Sequence, residues 1–215
     1  MFEINFRKSR FPVLLTLAFG LSLSAANWAA VRANLSLAKH QINAGSGTSG
    51  TATLTATSAA TTVVNFSSYN TAVATVPNAI PVPPGGSQAT VPIIAGSPGC
   101  TMIIASYNGQ TSPAYLAVSP VPTTSAFTLT IPDGMLPAPG NFTGRIALAN
   151  QFATARVTLT SSNTAALAVP PTVETVRGIA TFRISTGWGE GCVKITATIG
   201  SQSVSKYVQV VVLGG

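Results

Sequence analysis

Few side chains in this sequence could carry out acid–base chemistry. The 215 residues contain four Asp and Glu residues and a single histidine, His40. A serine nucleophile needs a histidine that is itself oriented by an acid, and a metal site needs several ligands. After residue 26 the acids are Asp133, Glu174 and Glu190, far from His40 in the sequence. We therefore expect no catalytic, metal-binding or cofactor-binding residues, no enzyme activity, and a surface position for His40.

The two cysteines, Cys100 and Cys192, each follow a glycine. Their separation excludes a metal site of the Cys-x-x-Cys type. Three states stay open from the sequence: two separate buried thiols, a bridge between the two residues, or bridges between separate chains. Any unpaired thiol would be notable in an exported protein, because that compartment is oxidising.

Trp188 lies in a glycine-rich segment, residues 186–191, just before Cys192. An aromatic side chain on such a loop can stack on a sugar ring or anchor a partner protein. The alternative is that its indole closes one end of the folded core. Trp188 is therefore a candidate ligand contact with a purely structural alternative.

Basic residues exceed acidic ones, and the net charge is +7. Part of this charge belongs to Arg7, Lys8 and Arg10 near the N-terminus, and the chain from residue 27 onward has eight basic and three acidic residues, a net charge of +5. These basic residues are scattered along the sequence, whereas recognition of nucleic-acid phosphates needs clusters. Nucleic acid is not an expected partner.

The sequence contains an internal repeat with a spacing of 92–93 residues. Residues 67–77 match residues 160–170, and the segment that begins at Cys100 matches the segment that begins at Cys192. Such self-similarity indicates that one structural unit occurs twice.

The repeat predicts two homologous domains, domain 1 at residues 34–119 and domain 2 at residues 125–213, joined by a proline-containing linker at 120–124. In domains placed end to end, equivalent atoms lie roughly 30 Å apart. A disulfide needs Cα atoms within about 7 Å. A bridge between Cys100 and Cys192 would therefore require the domains to fold back side by side.

Within each domain the hydrophobic period is two, as in a β-strand. Residues 51–57 alternate threonine with alanine or leucine. Asn108-Gly109 is typical of a tight hairpin turn, and Asn70 and Asn163, which the repeat matches, are expected to form turns through their side chains. Strands and turns spaced by roughly 8–12 residues predict a β-sandwich of about seven strands in each domain. We expect an all-β fold without long helices after residue 33.

Successive motifs of domain 1 resemble those of a known family. Ser-Ser-Tyr-Asn-Thr-Ala at 67–72 is followed by Val-Ala-Thr-Val-Pro at 73–77, by Pro-Pro-Gly-Gly-Ser-Gln-Ala-Thr-Val-Pro-Ile at 83–93 and by Thr-Met-Ile-Ile-Ala-Ser-Tyr-Asn-Gly at 101–109. This order is similar to that of bacterial immunoglobulin-like domains of the Big type. The resemblance covers 34–213 and implies two tandem immunoglobulin-like β-sandwiches on a bacterial surface or secreted protein. It implies no single function, because such domains serve adhesion, spacing and attachment alike.

Domain 2 departs from this pattern in two loops. Residues 173–178 replace the proline-rich turn of domain 1, and residues 132–141 are longer and richer in proline and glycine. If the two domains differ in role, these loops are where the difference is expected.

The N-terminal segment, residues 1–33, is predicted to be a signal peptide. Three basic residues precede an apolar run at 11–26, and small residues follow, with cleavage sites after residue 26 or residue 33. The alternative is an uncleaved membrane anchor, because residues 11–31 are about long enough to span a bilayer.

The sequence thus predicts an exported, non-enzymatic structural or adhesive module of a bacterial cell surface or extracellular matrix. The alternative is a carbohydrate- or matrix-binding module that uses the loop around Trp188. The expected partner is a protein or polysaccharide at the cell surface, or further copies of the chain, with membrane contact only through an uncleaved N-terminus. Between residues 34 and 120 the single charged residue is Lys39, so domain 1 lacks the charges that keep strand edges from pairing. We expect a neighbour, another copy or glycans to cover it.

Overall fold

The computed structural model describes residues 31–121, 126–132, 134–151 and 153–212. The predicted signal peptide lies outside the described residues except at its last three positions, and most of the predicted linker also lies outside them. The described residues form eighteen strands. Within these ranges, no helix has the length and apolar character needed to cross a membrane.

Domain 1 contains nine strands in two sheets. They are β1 (Ala33–Leu37), β2 (Gln41–Asn43), β3 (Gly47–Leu54), β4 (Thr62–Ser68), β5 (Ala74–Thr75), β6 (Ala79–Val82), β7 (Gln88–Ala95), β8 (Gly99–Tyr107) and β9 (Gln110–Ser119). One sheet has the order β1-β3-β7-β5 and the other has the order β2-β9-β8-β4-β6. Neighbouring strands are antiparallel, except that β2 runs parallel to β9.

Domain 2 repeats this arrangement strand for strand. Its strands are β10 (Phe127–Thr130), β11 (Met135–Ala138), β12 (Gly140–Leu148), β13 (Arg156–Ser161), β14 (Leu167–Ala168), β15 (Thr172–Glu174), β16 (Ile179–Thr186), β17 (Gly191–Ile199) and β18 (Gln202–Val212). The sheet orders are β10-β12-β16-β14 and β11-β18-β17-β13-β15, and β11 runs parallel to β18. The repeat in the sequence is therefore a repeat of topology.

This strand order is that of an immunoglobulin-like sandwich, with the first strand beside the second in one sheet and the last two strands beside the third in the other. The predicted all-β class with two tandem immunoglobulin-like sandwiches is confirmed. Each domain has nine strands where about seven were expected. The additional strands arise because the first strand is divided between the two sheets, as β1 and β2 in domain 1, and because β6 extends the second sheet.

Each sandwich has its own hydrophobic core between its two sheets. Strand β7 shows how the period of two builds it, since Ala89, Val91, Ile93 and Ala95 are buried and the residues between them are exposed. Fully burying a side chain of the valine or isoleucine class contributes roughly 1.5–3 kcal/mol. The two cores share no residue, so each domain buries its own set of apolar side chains.

Matching asparagines form the turns that follow β4 and β13. The side-chain Oδ1 of Asn70 accepts a hydrogen bond from the Ala72 N–H at 3.1 Å, and Asn163 Oδ1 accepts one from the Ala165 N–H at 3.2 Å. These bonds close the chain locally, as Asn side chains do in turns. The turn role predicted for both residues is confirmed.

A glycine in the second long strand of each domain leaves space for a core side chain. Gly144 of β12 is paired with Phe182 of β16, and a Cβ atom at Gly144 would overlap the Phe182 ring. In domain 1 the matching Gly50 is paired with Val91, and a Cβ there would lie 3.1 Å from Leu35 Cδ1. Phe182 is buried, so its ring has little freedom to move away.

We predict that Gly144→Ala destabilises domain 2 by about 1–3 kcal/mol, the usual cost of overpacking a core. The matched control is Gly47→Ala at the exposed start of β3, where a Cβ would lie 3.4 Å from the Ile93 carbonyl oxygen. The control is expected to stay within about 0.5 kcal/mol of the parent. Urea unfolding followed by circular dichroism measures both, and equal stabilities for the two variants would contradict the packing described above.

Candidate functional site at the domain junction

Cys100 and Cys192 are joined by a disulfide, with their Cα atoms 5.7 Å apart. Of the three states that the sequence left open, the structure has the bridge between the two residues. The domains are therefore not placed end to end, the arrangement in which equivalent atoms would lie roughly 30 Å apart. The domains lie side by side where the cysteines meet.

The disulfide forms because both cysteines lie on the outward face of a sheet. In β8, Cys100 is paired with Ala117 of β9, and in β17, Cys192 is paired with Gln209 of β18. Ala117 belongs to neither hydrophobic core, yet none of its surface is exposed. The outward face of β9 is therefore covered by domain 2.

Residues that the repeat matches meet each other across this junction. Cys100 bonds to Cys192, its counterpart 92 residues later. His40 and Gly134 are also counterparts, because the carbonyl of each accepts a hydrogen bond from the last strand of its own domain. They are in contact, since a Cβ at Gly134 would overlap the His40 carbonyl oxygen. A contact in which equivalent positions meet is isologous, as in a two-fold homodimer. The domains therefore pack with pseudo-two-fold symmetry, and His40, expected at the surface, lies half-buried in the junction.

Polar groups of domain 1 satisfy the backbone of Tyr207 in β18. Gln41 Nε2 donates to the Tyr207 carbonyl oxygen at 2.8 Å, and the Tyr207 N–H donates to Ser119 Oγ at 3.2 Å. Ser119 is fully buried. Because buried polar groups are costly unless they are hydrogen-bonded, these contacts fix the register of the two domains as well as their proximity.

Lys206 borders the same junction and is half-buried, with its Nζ 3.5 Å from Asn43 Oδ1. Burial removes water from the ammonium group and lowers the pKa of Lys206 below its ordinary value of 10.5. The folded chain therefore binds fewer protons than the unfolded chain between the two pKa values. In that alkaline interval Lys206 makes the free energy of unfolding rise with pH. The folded state is thus favoured by the neutral amine, and the positive charge of Lys206 does not stabilise the junction.

Beside the disulfide, the large side chains of Tyr69, Met102 and Tyr115 form a row on one face of domain 1. Tyr69 follows β4 and donates its backbone N–H to the Met102 carbonyl, and Met102 of β8 is paired with Tyr115 of β9. The row opens into a cleft of about 260 Å³, lined by Tyr69, Cys100, Thr101, Met102, Tyr115, Cys192 and Gln209. None of these lining side chains carries a charge, so the cleft suits a neutral ligand or an apolar partner side chain.

Sequence reasoning missed this cleft. Tyr69 is 81% exposed, yet the repeat matches it with Ser162, and that difference is the signal that could have singled it out. Tyr115 lines the cleft, and Tyr207 of β18 lies at the junction beside it.

Trp188 does not close the end of the sandwich. Its side chain is 77% exposed, so the structural alternative for this residue is wrong. The backbone on either side is held in place, because the Gly187 N–H donates to the Ala166 carbonyl at 3.0 Å and a Cβ at Gly189 would lie 3.0 Å from Ala166 Cα. The loop thus presents an exposed indole on a fixed backbone, four residues before Cys192.

Within the described ranges, no group of three or more His, Cys, Asp or Glu side chains lies close enough to hold a metal ion. The site at the junction is instead made of a disulfide, aromatic rings and uncharged polar groups. Such an arrangement can bind by stacking, apolar contact and hydrogen bonding.

We predict that replacing both cysteines with serine lowers the stability of the whole chain by roughly 2–5 kcal/mol, because the bridge closes a long loop in the unfolded state. In a double-mutant cycle, Cys100→Ser and Cys192→Ser are expected each to cost as much as the double variant, because either change removes the same bond. Guanidinium unfolding measures this, and small-angle scattering is expected to show a less compact double variant. Effects of the two substitutions that add would indicate separate thiols instead.

No protein-family model matches the chain, and no curated protein sequence matches it. Among solved structures it is similar to the D0-D1 domain of intimin, with 21% identity, 82% of this chain and 97% of that chain covered, and a TM-score of 0.46. It is also similar to FdeC, an Escherichia coli adhesin, with 16% identity, 86% and 66% coverage and a TM-score of 0.34.

A third similar structure is that of domains 5-6 of the S-layer protein SbsC, with 16% identity, 86% of this chain and 100% of that chain covered, and a TM-score of 0.33. These neighbours are domains of bacterial adhesins and of an S-layer protein. At such identities and TM-scores they carry no information on function. The immunoglobulin-like fold is established by the strand order of the chain itself.

Proposed function

We propose that this chain is an exported structural or adhesive module of a bacterial cell surface or extracellular matrix. The observation that carries the proposal is the locked junction, in which a disulfide and buried hydrogen bonds hold two sandwiches in one orientation. A rigid pair presents its exposed loops and faces in a fixed geometry and transmits force between its ends. Those are the properties that a spacing or adhesive module needs.

The disulfide also supports export. Disulfides persist in oxidising compartments and are rare in the reducing cytosol. A bond that joins two domains through residues 92 positions apart is a structural bond that ties one domain to the other. An extracellular location is therefore part of the proposal, together with the predicted signal peptide at residues 1–33.

The exposed face of one sheet of domain 1 supports contact with a neutral partner. Asn34 of β1, Thr53 of β3 and Thr90 of β7 are exposed, and Ile94 of β7 is 63% exposed on the same strand face. Hydroxyl and amide groups can bond to sugar hydroxyls or to the backbone of another copy without the cost of desolvating charges. This face is where we expect the covering of domain 1 by a neighbour.

A second candidate function is carbohydrate or matrix binding through Trp188. The observation that favours it is the exposure of the indole on a loop whose backbone is held against Ala166. An aromatic ring presented in this way loses little conformational freedom on binding, which is why such residues dominate the energetics of interfaces.

Retention of the oxidised chain on isolated bacterial cell envelopes tests the main proposal, together with sedimentation velocity over a wide concentration range. We expect either retention on the envelopes or concentration-dependent self-association, because the uncharged face of domain 1 needs a partner. A chain that stays monomeric at high concentration and is washed from the envelopes would overturn an adhesive or structural role.

For the second candidate, we predict that Trp188→Ala reduces retention on insoluble polysaccharides such as cellulose, chitin or peptidoglycan by about tenfold or more, as loss of an aromatic hot spot does. The melting temperature is expected to stay unchanged because the side chain is exposed. Val63→Ala, at another exposed apolar residue, serves as the matched control. A variant that loses stability but keeps its retention would assign Trp188 to packing alone.

A further inference from the structure

The turn between β15 and β16 of domain 2 holds an arginine in the left-handed conformation. Arg177 has φ 52° and the following Gly178 has φ 74°, and an isolated bridge pairs Val176 with Ile179 across the turn. Positive φ at both central residues is the requirement of a type I′ hairpin turn. Left-handed φ is uncommon for a long side chain, since its Cβ approaches the following carbonyl oxygen.

The same chain shows which residue such a turn ordinarily takes. The hairpin between β8 and β9 uses Asn108 with φ 49° and Gly109 with φ 72°, nearly the same backbone angles. Asn tolerates this conformation far better than other residues with a Cβ. Arg177 therefore occupies a position at which asparagine would make the fold more stable.

Strong local contacts hold the turn in this conformation. Thr175 is fully buried, its Oγ1 accepts from the Ala155 N–H at 2.8 Å, and its own N–H donates to the Ala155 carbonyl at 2.9 Å. Gly178 donates its N–H to the Ala153 carbonyl at 3.0 Å and accepts from the Leu148 N–H at 2.8 Å. Strained residues that the surrounding structure maintains in this way cluster at functional sites. The turn lies in the 173–178 loop, one of the two in which the domains differ.

Two further arginines lie on the sheet that continues from this turn. Arg145 of β12 is paired with Thr181 of β16, and Thr143 of β12 is paired with Arg183 of β16, so Arg145 and Arg183 are diagonal neighbours on one exposed face. Diagonal positions of this kind are about 7–8 Å apart. The two arginines thus share one face, and the Arg183 guanidinium turns along β12 toward Asn141, away from Arg145.

Arg183 is positioned by a neighbour and does not rely on an acid. Its Nε and Nη2 donate to Asn141 Oδ1 at 2.8 and 2.6 Å, and Ser185 Oγ donates to the same oxygen at 3.0 Å. A guanidinium has five N–H donors, so donors are left over for a ligand. A shallow depression of about 390 Å³ lies beside Arg183, lined by Asn141, Phe142, Thr143, Thr181, Phe182 and Arg183.

No described acid neutralises this face. Among the described residues the acids are Glu174 and Glu190, and Glu174 belongs to the other sheet, where it is paired with Arg156. Glu190 follows the opposite end of β16, beyond Trp188. In domain 1, Thr51 and Pro92 occupy the positions that match Arg145 and Arg183, so the charge is specific to domain 2.

We propose that Arg177, Arg145 and Arg183 form a binding face for an acidic polysaccharide, and we name these three residues the arginine strip. The strand covers roughly 13 Å from Ile179 to Arg183, and Arg177 lies in the turn that precedes it. This spread is too long for one small anion and suits a linear polymer with repeated carboxylate or sulfate groups. Val176 is 71% exposed and Ile179 is 43% exposed, and they supply apolar contact for the sugar rings. Phe142 and Phe182, which line the depression, pack in or against the core of domain 2, so neither ring is presented for the bases of a nucleic acid to stack on.

This inference deepens the proposed function, on which it rests, because it names a partner class for the surface module. The arginine turn lies at the opposite end of β16 from Trp188, so the strip is separate from the junction site. A polyanion on the strip would be bound through charge-assisted hydrogen bonds and weakened by salt.

Binding of the oxidised chain to polygalacturonate and to dextran sulfate, with neutral dextran as the blank, tests the proposal. The triple variant Arg145→Gln, Arg177→Asn, Arg183→Gln is expected to raise the Kd by about tenfold or more, as loss of hydrogen bonds from charged groups does. Lys194→Gln removes one charge from the other sheet and is the matched control for the single substitution Arg177→Asn, expected to change the Kd by less than about twofold. Comparison of the two polymers distinguishes carboxylate from sulfate as the preferred group.

Arg177→Asn alone separates binding from folding. It is expected to raise the melting temperature by roughly 2–4 °C, because asparagine relieves the left-handed strain, while binding of the polyanion weakens. A variant that is both more stable and a poorer binder cannot be explained by loss of structure. If Arg177→Asn binds as well as the parent, the turn has no part in recognition and the proposal fails.

Three other outcomes would also overturn the proposal: equal binding by the triple variant and the parent, an equal loss in the Lys194→Gln control, or tighter binding of single-stranded DNA than of either polysaccharide. Its failure is distinguishable from failure of the proposed function. If cell envelopes retain the parent chain and the triple variant equally well, the surface role stands and the arginine strip has no part in it. If the chain binds polygalacturonate through the strip, but envelopes do not retain it and it does not self-associate, the binding proposal stands and the surface role fails.

Discussion

The packing of β9 against β18 is the contact on which the shape of this protein depends. Both strands use the face that points away from their own hydrophobic core, so the junction adds a third buried layer between two complete sandwiches. Ala117 and Ser119 are fully buried only because domain 2 covers them. The disulfide fixes the ends of this layer, and the hydrogen bonds of Gln41 and Ser119 fix its register. The positions of the cleft, the Trp188 loop and the exposed faces of both domains all follow from that arrangement.

Much of the fold could be predicted because its signals are local or repeated. The alternation of threonine with apolar residues indicates strands, Asn70 and Asn163 indicate turns, and the 92-residue spacing places the second domain. The junction could not be predicted in this way. The sequence of each repeat does not indicate which face of a sheet the other domain covers. Ala117 and Ser119, for example, are as compatible with an exposed position as with a buried one. For that reason the bridge between Cys100 and Cys192 stayed one of three open states.

The candidate sites also differ in how far the sequence could predict them. Trp188 could be singled out because it interrupts a glycine-rich loop that has no aromatic residue in the matching loop of domain 1, but its exposure depends on the neighbouring turn at Ala166, which only the structure shows. Tyr69 and the arginine strip stand out only when the two domains are compared. Domain 2 has serine at the position of Tyr69, and domain 1 has threonine and proline at the positions of Arg145 and Arg183. Differences of this kind inside a repeat point to divided roles, with domain 1 uncharged and aromatic near the junction and domain 2 cationic on its outer sheet.

The pseudo-two-fold symmetry of the junction limits how such domains can be assembled. Where tandem domains join head to tail, each contact leaves a free copy of both surfaces, and the array can grow without end. Here each domain uses the same face to meet the other, so the contact consumes both copies of that face, and it closes in the sense in which a two-fold dimer closes. A third domain of the same type could not be added through this contact. The pair therefore behaves as a covalently joined dimer within one chain, and any contact with a further domain has to use a different surface.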